Sequence, residues 1–293
     1  MTMTTPMIET AAAPVLVLGA NGKTGRRVRQ RLEAAGVPVR AGSRSGTPRF
    51  DWDDAETWGP ALAGARSAYV TFQPDVAMPG ALATVTAFFA AARDHGVKRL
   101  VLLSGRGEEE AVAAEEALKA SGADWTVLSA AWFFQNFSED FYLDPIRAGH
   151  VALPVAAAAP EPFIDAEDIA DVAFKALTEP GHSGRKYELT GPRAMTFAEA
   201  FAEIAAATGR PLRLETVTPE AYAAALRADG LPPALVDLIV YLFTSLLDGR
   251  NSRPTDDVRQ VLGREPRDFA GYVERTAASG VWTPAASPVR AAG

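Results

Sequence analysis

The segment that most constrains the fold is an apolar run that ends in a glycine triplet. Pro14-Val-Leu-Val-Leu18 is followed by Gly19-Ala-Asn-Gly-Lys-Thr-Gly25, and then by residues 26–35, where Val28, Leu32 and Ala35 recur at helical spacing. An uninterrupted apolar run reads as a strand buried on both faces. Strand, glycine turn and helix together make the first half of a βαβ unit. Each glycine has a physical task there: a tight turn, close approach of backbone to a pyrophosphate, and close packing of helix on strand. The helix N-terminus adds free N–H groups and the positive end of its dipole. Gly19, Asn21, Gly22, Lys23, Thr24 and Gly25 are therefore the expected phosphate-binding residues. The alternative is a glycine turn kept for packing alone.

The same rhythm repeats. Strands are expected at residues 37–41 (ending at Gly42-Ser43-Arg44), 50–52, 67–72, 97–104 and 125–128, with helices at 55–62, 80–95 and 108–121. Strands alternating with helices over this length predict an α/β fold with a doubly wound parallel Rossmann sheet. After residue 130 the pattern changes. An aromatic cluster, Trp132-Phe-Phe-Gln-Asn-Phe137, precedes a stretch rich in Ala and Pro at 149–162. A helix is expected at 165–177, a strand at 185–189, and a helix at 196–208 with Thr196 and Glu199 forming a capping box. Apolar helical sequence fills 219–247, and a last helical stretch covers 256–279. The expected organisation is a disordered leader at 1–13, a dinucleotide-binding domain at 14–150, and a smaller, mostly helical substrate lobe at 151–293. Residues 163–190 of that lobe return to the sheet.

Composition narrows the function. The chain has 293 residues, 48% hydrophobic and 22% charged, as in an ordinary globular protein. Twenty-nine basic against 36 acidic residues give a net charge of −7, which argues against broad nucleic-acid binding. With no cysteine, disulfides, thiolate nucleophiles and iron–sulfur clusters are excluded. His95, His150 and His182 lie far apart, so no metal site is expected. The apolar stretch 234–247 contains Asp237 and is too short to span a bilayer. The first ten residues carry no secretory pattern. The expectation is a cytoplasmic protein with a small-molecule substrate, no membrane or nucleic-acid partner, and the oligomeric state left open.

Cofactor preference is read at the end of the second strand, where an acidic residue would bond the ribose 2′-OH and repel a 2′-phosphate. Ser43 and Arg44 stand there instead, and a guanidinium can take a phosphate through charge-assisted hydrogen bonds. The expected cofactor is NADP(H); Lys23 either adds charge or faces water. Asp51 and Trp52 fall where an adenine edge would lie, and Asp51 either accepts the adenine amino group or caps the following helix. Thr71, Phe72, Gln73, Ser104 and Gly105 end their strands in the crevice where such sheets bind ligands, beside the expected nicotinamide ribose and ring. One feature is absent. A short-chain dehydrogenase normally carries Tyr-x-x-x-Lys on the helix after this strand, the tyrosine acting as proton donor. Here Lys119 is preceded, four residues earlier, by Glu115, on a helix whose acidic side reads as a solvated face.

Taken together, GANGKTG, SGADWTVLSAAWFFQNF, PFIDAEDIADVA and YELTGPRAMTFAEA resemble the NmrA-like, atypical short-chain dehydrogenase/reductase proteins over nearly the whole chain. FDWDDAETW, WFFQNFSED and VLGREPRDFAGYV look most like the ergot-alkaloid (festuclavine and agroclavine) dehydrogenase branch. The resemblance implies an NADPH-dependent reductase acting on an iminium, a quinone or a similarly activated acceptor. Two departures border the expected pocket. Leu128 runs into Ser129-Ala130 where Leu-Arg-Pro is usual, and the loop before Phe163 carries alanines where relatives have glycines.

An iminium already carries its positive charge, so hydride addition to it needs no proton donor, in keeping with the missing tyrosine. Trp132, Phe134 and Phe137 would then stack on a flat or cationic acceptor and Asn136 would fix a polar edge; the alternative is that the aromatic set is core. Tyr142 is the nearest candidate acid, and no other catalytic residue is legible. Two other readings stay open: a catalytically silent NADP-binding sensor acting through a protein partner, and a redox-neutral step on the same fold.

Overall fold

The computed structural model describes residues 13–154 and 159–284, so all but the last residue of the expected leader lies outside the described residues. In chain order the strands are β1 (Val15–Leu18), β2 (Val39–Gly42), β3 (Ser67–Val70), β4 (Arg99–Gly105), β5 (Asp124–Ala130), β6 (His150–Pro154), β7 (Arg185–Leu189) and β8 (Arg213–Val217). The helices are α1 (Lys23–Ala34), α2 (Trp58–Leu62), α3 (Ala81–Asp94), α4 (Glu109–Ala120), α5 (Asn136–Glu139), α6 (Leu143–Ala148), α7 (Ala166–Thr178), α8 (Phe197–Thr208), α9 (Pro219–Ala228), α10 (Pro233–Tyr241), α11 (Asp257–Leu262) and α12 (Phe269–Ala278).

Six strands form one parallel sheet in the order β2-β1-β3-β4-β5-β7. The reversal of strand order between β1 and β3 opens a crevice at their C-terminal ends. Alternation along each strand supplies both faces with core. Val15, Val17, Tyr69, Val101 and Leu128 pack under α1 and α7, whereas Leu16, Leu18, Val70, Leu102 and Val127 pack under α2, α3 and α4. Arginines of α1 lock onto carboxylates of α7, Arg27 on Glu167 at 2.5 Å and Arg31 on Asp171 at 2.5 Å.

The strand expected at residues 50–52 does not form. Asp51 makes only an isolated antiparallel bridge with Asp54, and the chain folds there into a turn closed by Thr57 and Trp58 on the Asp51 carbonyl. Residues 67–70 consequently pair directly with β1. Part of the Ala/Pro-rich stretch is extended too: β6 runs parallel to β8 as a separate two-stranded sheet. The capping box at Thr196 and Glu199 forms as expected.

A second core sits beside the sheet. Phe134, Phe137, Tyr142, Phe163, Phe197 and Phe201 meet Phe243 and Phe269 in it, with ring centroids 5.0–6.4 Å apart, the range of favourable aromatic pairs. α7 and β7 belong to the sheet, and α11 packs against them through Val258.

Candidate dinucleotide and acceptor site

The glycine turn is built by steric necessity. Gly19 has φ +59°, and a Cβ on it would come 2.7 Å from Thr71 Cγ2. A Cβ on Gly25 would meet the Gly19 carbonyl oxygen at 2.2 Å, so helix and turn touch backbone to backbone. Gly22 opens α1, with no side chain capping it and no acid in its first turn. Its free N–H groups and dipole are open to an anion, and the turn fits a pyrophosphate.

From this turn a cavity of roughly 420 Å³ extends over the C-terminal edge of the sheet. Gly19, Gly22, Lys23 and Thr24 form one end; Thr71, Phe72, Gln73, Ser104 and Gly105 line its floor. Asn21 is exposed at the crest of the turn and Gly25 is buried beneath it. The Lys23 ammonium is not facing open water. It donates to Asn136 Oδ1 at 2.8 Å, pairs with Asp140, and lies 6.0 Å from the Phe141 ring centre.

Ser43 and Arg44 follow β2 beside the same turn, since Gly42 is in register with Leu18. The Ser43 carbonyl accepts from Gly46 N and Phe50 N, which bends the chain and leaves Arg44 exposed, with no ion pair among the described residues. Asp51 does not cap the next helix. Asp54 does so, while the Asp51 carboxylate accepts from Arg49 at 2.5 Å. Trp52 lies behind the cavity floor: its ring packs 4.9 Å from that of Phe72, and its indole N–H donates to the Thr71 carbonyl at 3.2 Å.

The acidic face of α4 is not wholly solvated. Glu115 is only 1% exposed, accepting from Ser104 Oγ at 2.8 Å and pairing with Lys186 at 2.6 Å. The position where a short-chain dehydrogenase carries its tyrosine is thus filled by a locked carboxylate.

The aromatic segment divides. Trp132, Phe133 and Asn136 line the cavity. Phe134 and Phe137, expected against the acceptor, are instead core: both are buried and belong to the second aromatic cluster. The cause is the tight turn that leads into α5, in which Asn136 N–H donates to the Phe133 carbonyl and Phe137 N–H to the Phe134 carbonyl; residues three apart then share a side, which sends 134 and 137 away from 133 and 136. Tyr142 is also a correction. It is buried among Phe137, Phe197 and Phe201, outside the cavity, and burial holds its hydroxyl well above the ordinary tyrosine range. It is no proton donor for a ligand here.

Several cavity residues were not legible in the sequence. α10 and the π-helical turn after it (Leu242–Leu246) roof the chamber with Leu235, Leu238, Ile239, Leu242 and Leu246. Four carboxyls also line it: Asp140, already paired with Lys23, and three whose proton affinity is raised. Glu108, 7% exposed, is pushed up to about 8 by burial and by the neighbouring Asp75 and Glu110. Asp75 is raised by burial. Glu161, 6% exposed, is pushed up to about 7 by burial, against the pull of the Trp132 amide and Arg106. Their only signal in the sequence would have been isolated acids flanking strand ends or an apolar segment, which surface acids share.

Known proteins resemble this chain along most of its length. A family model described as NAD(P)H-binding matches residues 19–180. Agroclavine dehydrogenase of Claviceps fusiformis is 30% identical over 276 residues, covering 88% of this chain and 96% of the relative. The NAD(P)H azoreductase of Xenophilus azovorans is 31% identical over 290 residues, covering 90% and 98%. The crystal structure of triphenylmethane reductase from Citrobacter sp., complexed with NADP(H), aligns with a TM-score of 0.73 at 20% identity, covering 90% of this chain and 99% of that one, a likeness of fold. Among the described residues no helix is long and apolar enough to cross a membrane. A glycine turn shaped for a pyrophosphate, a parallel sheet with its crevice at the strand ends and relatives of this kind lead to one conclusion: the chain belongs to the NAD(P)H-binding family and is an NAD(P)H-dependent oxidoreductase.

Proposed function

We propose that the chain uses NADPH to reduce a small, flat, activated organic acceptor: an azo compound, a quinone or an iminium. The observation that carries this reading is the single continuous cavity, whose one end is an uncapped helix N-terminus and whose other end is roofed by leucines. A cofactor phosphate suits the first end and an apolar acceptor the second. In this reading Gly19, Gly22, Thr24 and the α1 amides bind the pyrophosphate, and Arg44 takes the 2′-phosphate. Thr71, Gln73 and Gly105 flank the nicotinamide half. When bound, the cofactor supplies a hydride.

The chain's own residues do the rest. Trp132, Phe133 and the leucine roof present an apolar wall that excludes water and holds the acceptor flat. Asn136 and Lys23 fix a polar edge. With Glu115 locked by Ser104 and Lys186, no acid acts from α4.

The test is turnover. Purified chain with NADPH or NADH is offered azo dyes, quinones and cyclic iminiums while the absorbance of the reduced nicotinamide is followed. Oxidation of NADPH with at least one acceptor class, faster than that of NADH, is the expected result. Tight NADPH binding with no turnover on any of them would replace this reading with that of a sensor.

A further inference from the structure

Reduction of a neutral acceptor leaves a gap in the chemistry. When a hydride adds to one atom of an N=N bond or a quinone, the pair of π electrons moves to the partner atom, which becomes anionic and must take a proton. Glu115 is locked and Tyr142 faces the second core, so neither can supply it. We infer that Glu161 is the acid: a catalytic residue whose O–H bond breaks as the new N–H or O–H bond forms on the reduced acceptor. Its carboxylate then recovers a proton from water. This inference rests on the reductase reading above.

The placement is specific. Glu161 is fixed by a two-way backbone pair with Met195, at 2.9 and 3.0 Å, just ahead of the buried Phe163. Its side chain turns back into the cavity, where the Trp132 amide donates to Oε1 at 3.4 Å. Among the described residues Oε2 has no hydrogen bond, so one carboxyl oxygen is available to an acceptor lying on Trp132 and Phe133.

The charged groups around it are few. Arg106, in the turn after β4, is the cation whose charge it feels, but that guanidinium is already engaged by Glu188 at 3.0 Å and by the carbonyls of Asn251 and Arg253. Lys23 of α1 is paired with Asp140, and Asp75 and Glu108 line the floor side. Net compensation is weak, and burial therefore keeps the proton on Glu161 up to about 7. A group with that affinity is both loaded and able to let go at neutral pH. Glu108 is the rival acid, but its carboxyl lies folded onto Gly105, 2.0 Å from where a Cβ there would stand, on the wall assigned to the cofactor.

Two acceptors separate the step. A neutral azo dye or quinone needs hydride and a proton; a triarylmethyl cation needs hydride only, since its addition yields the neutral leuco compound. For Glu161→Gln, turnover of the neutral acceptor is expected to fall about 100-fold with KM little changed. Turnover of the cation should stay within about threefold. In the wild type, kcat for the neutral acceptor should decline above about pH 7, and that decline should be missing from the variant. Glu161→Asp, which keeps an acid, should recover a good part of the loss. An infrared titration without any acceptor should show a protonated carboxyl component that bleaches near pH 7 in the wild type and is missing from Glu161→Gln, while the component of Glu108, bleaching near pH 8, stays in both.

Equal losses on both acceptors, no loss on the neutral one, or a chain that reduces only the cation would each overturn the assignment. If only the neutral acceptor is turned over, the pH limb decides it. If neither is turned over, the reductase reading itself fails, and the infrared band still tells whether Glu161 holds a proton. The same loss in Glu108→Gln would move the role to the other wall.

Discussion

Lys23 Nζ donates to Asn136 Oδ1 at 2.8 Å, joining the first residue of α1 to the first residue of α5. With the Asp140 ion pair, this couples the phosphate end of the cavity to its acceptor wall. Lys23→Met should therefore weaken both halves. Fluorescence titration is expected to show NADPH binding about tenfold weaker, or about 1.4 kcal/mol, with a parallel rise in KM for the acceptor. An unchanged KM would mean that the two ends are independent.

Arg44 should set the choice between the two nicotinamide cofactors. Charge-assisted hydrogen bonds contribute roughly 1.5–3 kcal/mol each, so Arg44→Ala is expected to lower NADPH affinity by one to two orders of magnitude and leave NADH nearly untouched. Calorimetric titration with both cofactors checks this. Equal losses would remove Arg44 from the site.

The aromatic segment predicts a split between folding and binding. Phe137 is fully buried and meets five aromatic rings within its cluster, so Phe137→Ala leaves a void that costs about 3–5 kcal/mol. Its thermal midpoint should fall by roughly 10 °C. Trp132→Ala, at the cavity wall, should raise the acceptor KM with a smaller loss of midpoint. Reversed outcomes would exchange the two assignments.

Glu108 makes stability depend on pH in a definite direction. Its proton is kept to about 8 in the folded chain but lost near 4.5 once the chain unfolds. A raised carboxyl contributes stability that is complete below about 4.5 and disappears as pH rises through about 8, because the unfolded form then releases a proton that the folded form retains. Glu108→Gln stays neutral throughout and relieves the neighbouring Asp75. The variant should match the wild type near pH 4.5 and melt several degrees higher near pH 9. A gap that narrows with pH contradicts the burial argument.

How far the residues spoke for themselves follows the length scale of each interaction. The glycine turn, the strand–helix alternation and the Thr196–Glu199 capping box depend on neighbours a few positions apart, and all of them form. The strand expected at residues 50–52 failed because Asp51 and Asp54 brace a turn with their side chains, and the three-residue Phe-Asp-Trp segment is too short to hold a ladder against it. Phe134 and Phe137 were misplaced because a run of aromatics does not announce which face meets the cavity; the tight turn leading into α5 decides that. Glu161 and Glu108 were invisible for a deeper reason. Burial comes from segments far away in the chain, and an acid in sequence carries no mark of the water it will lose.

The π-helical turn at Leu242–Leu246 closes with the Leu247 amide donating to the Leu242 carbonyl at 3.1 Å, five residues back. Such a turn, which ends α10, holds one residue more than a turn of α-helix. Shortening it by a single position would swing the residues that close it by about 100° around the axis of α10 and carry Leu246 and Leu247 off the ceiling together. Acceptor preference among close kin would then change through an insertion or deletion here, with no substitution at any wall.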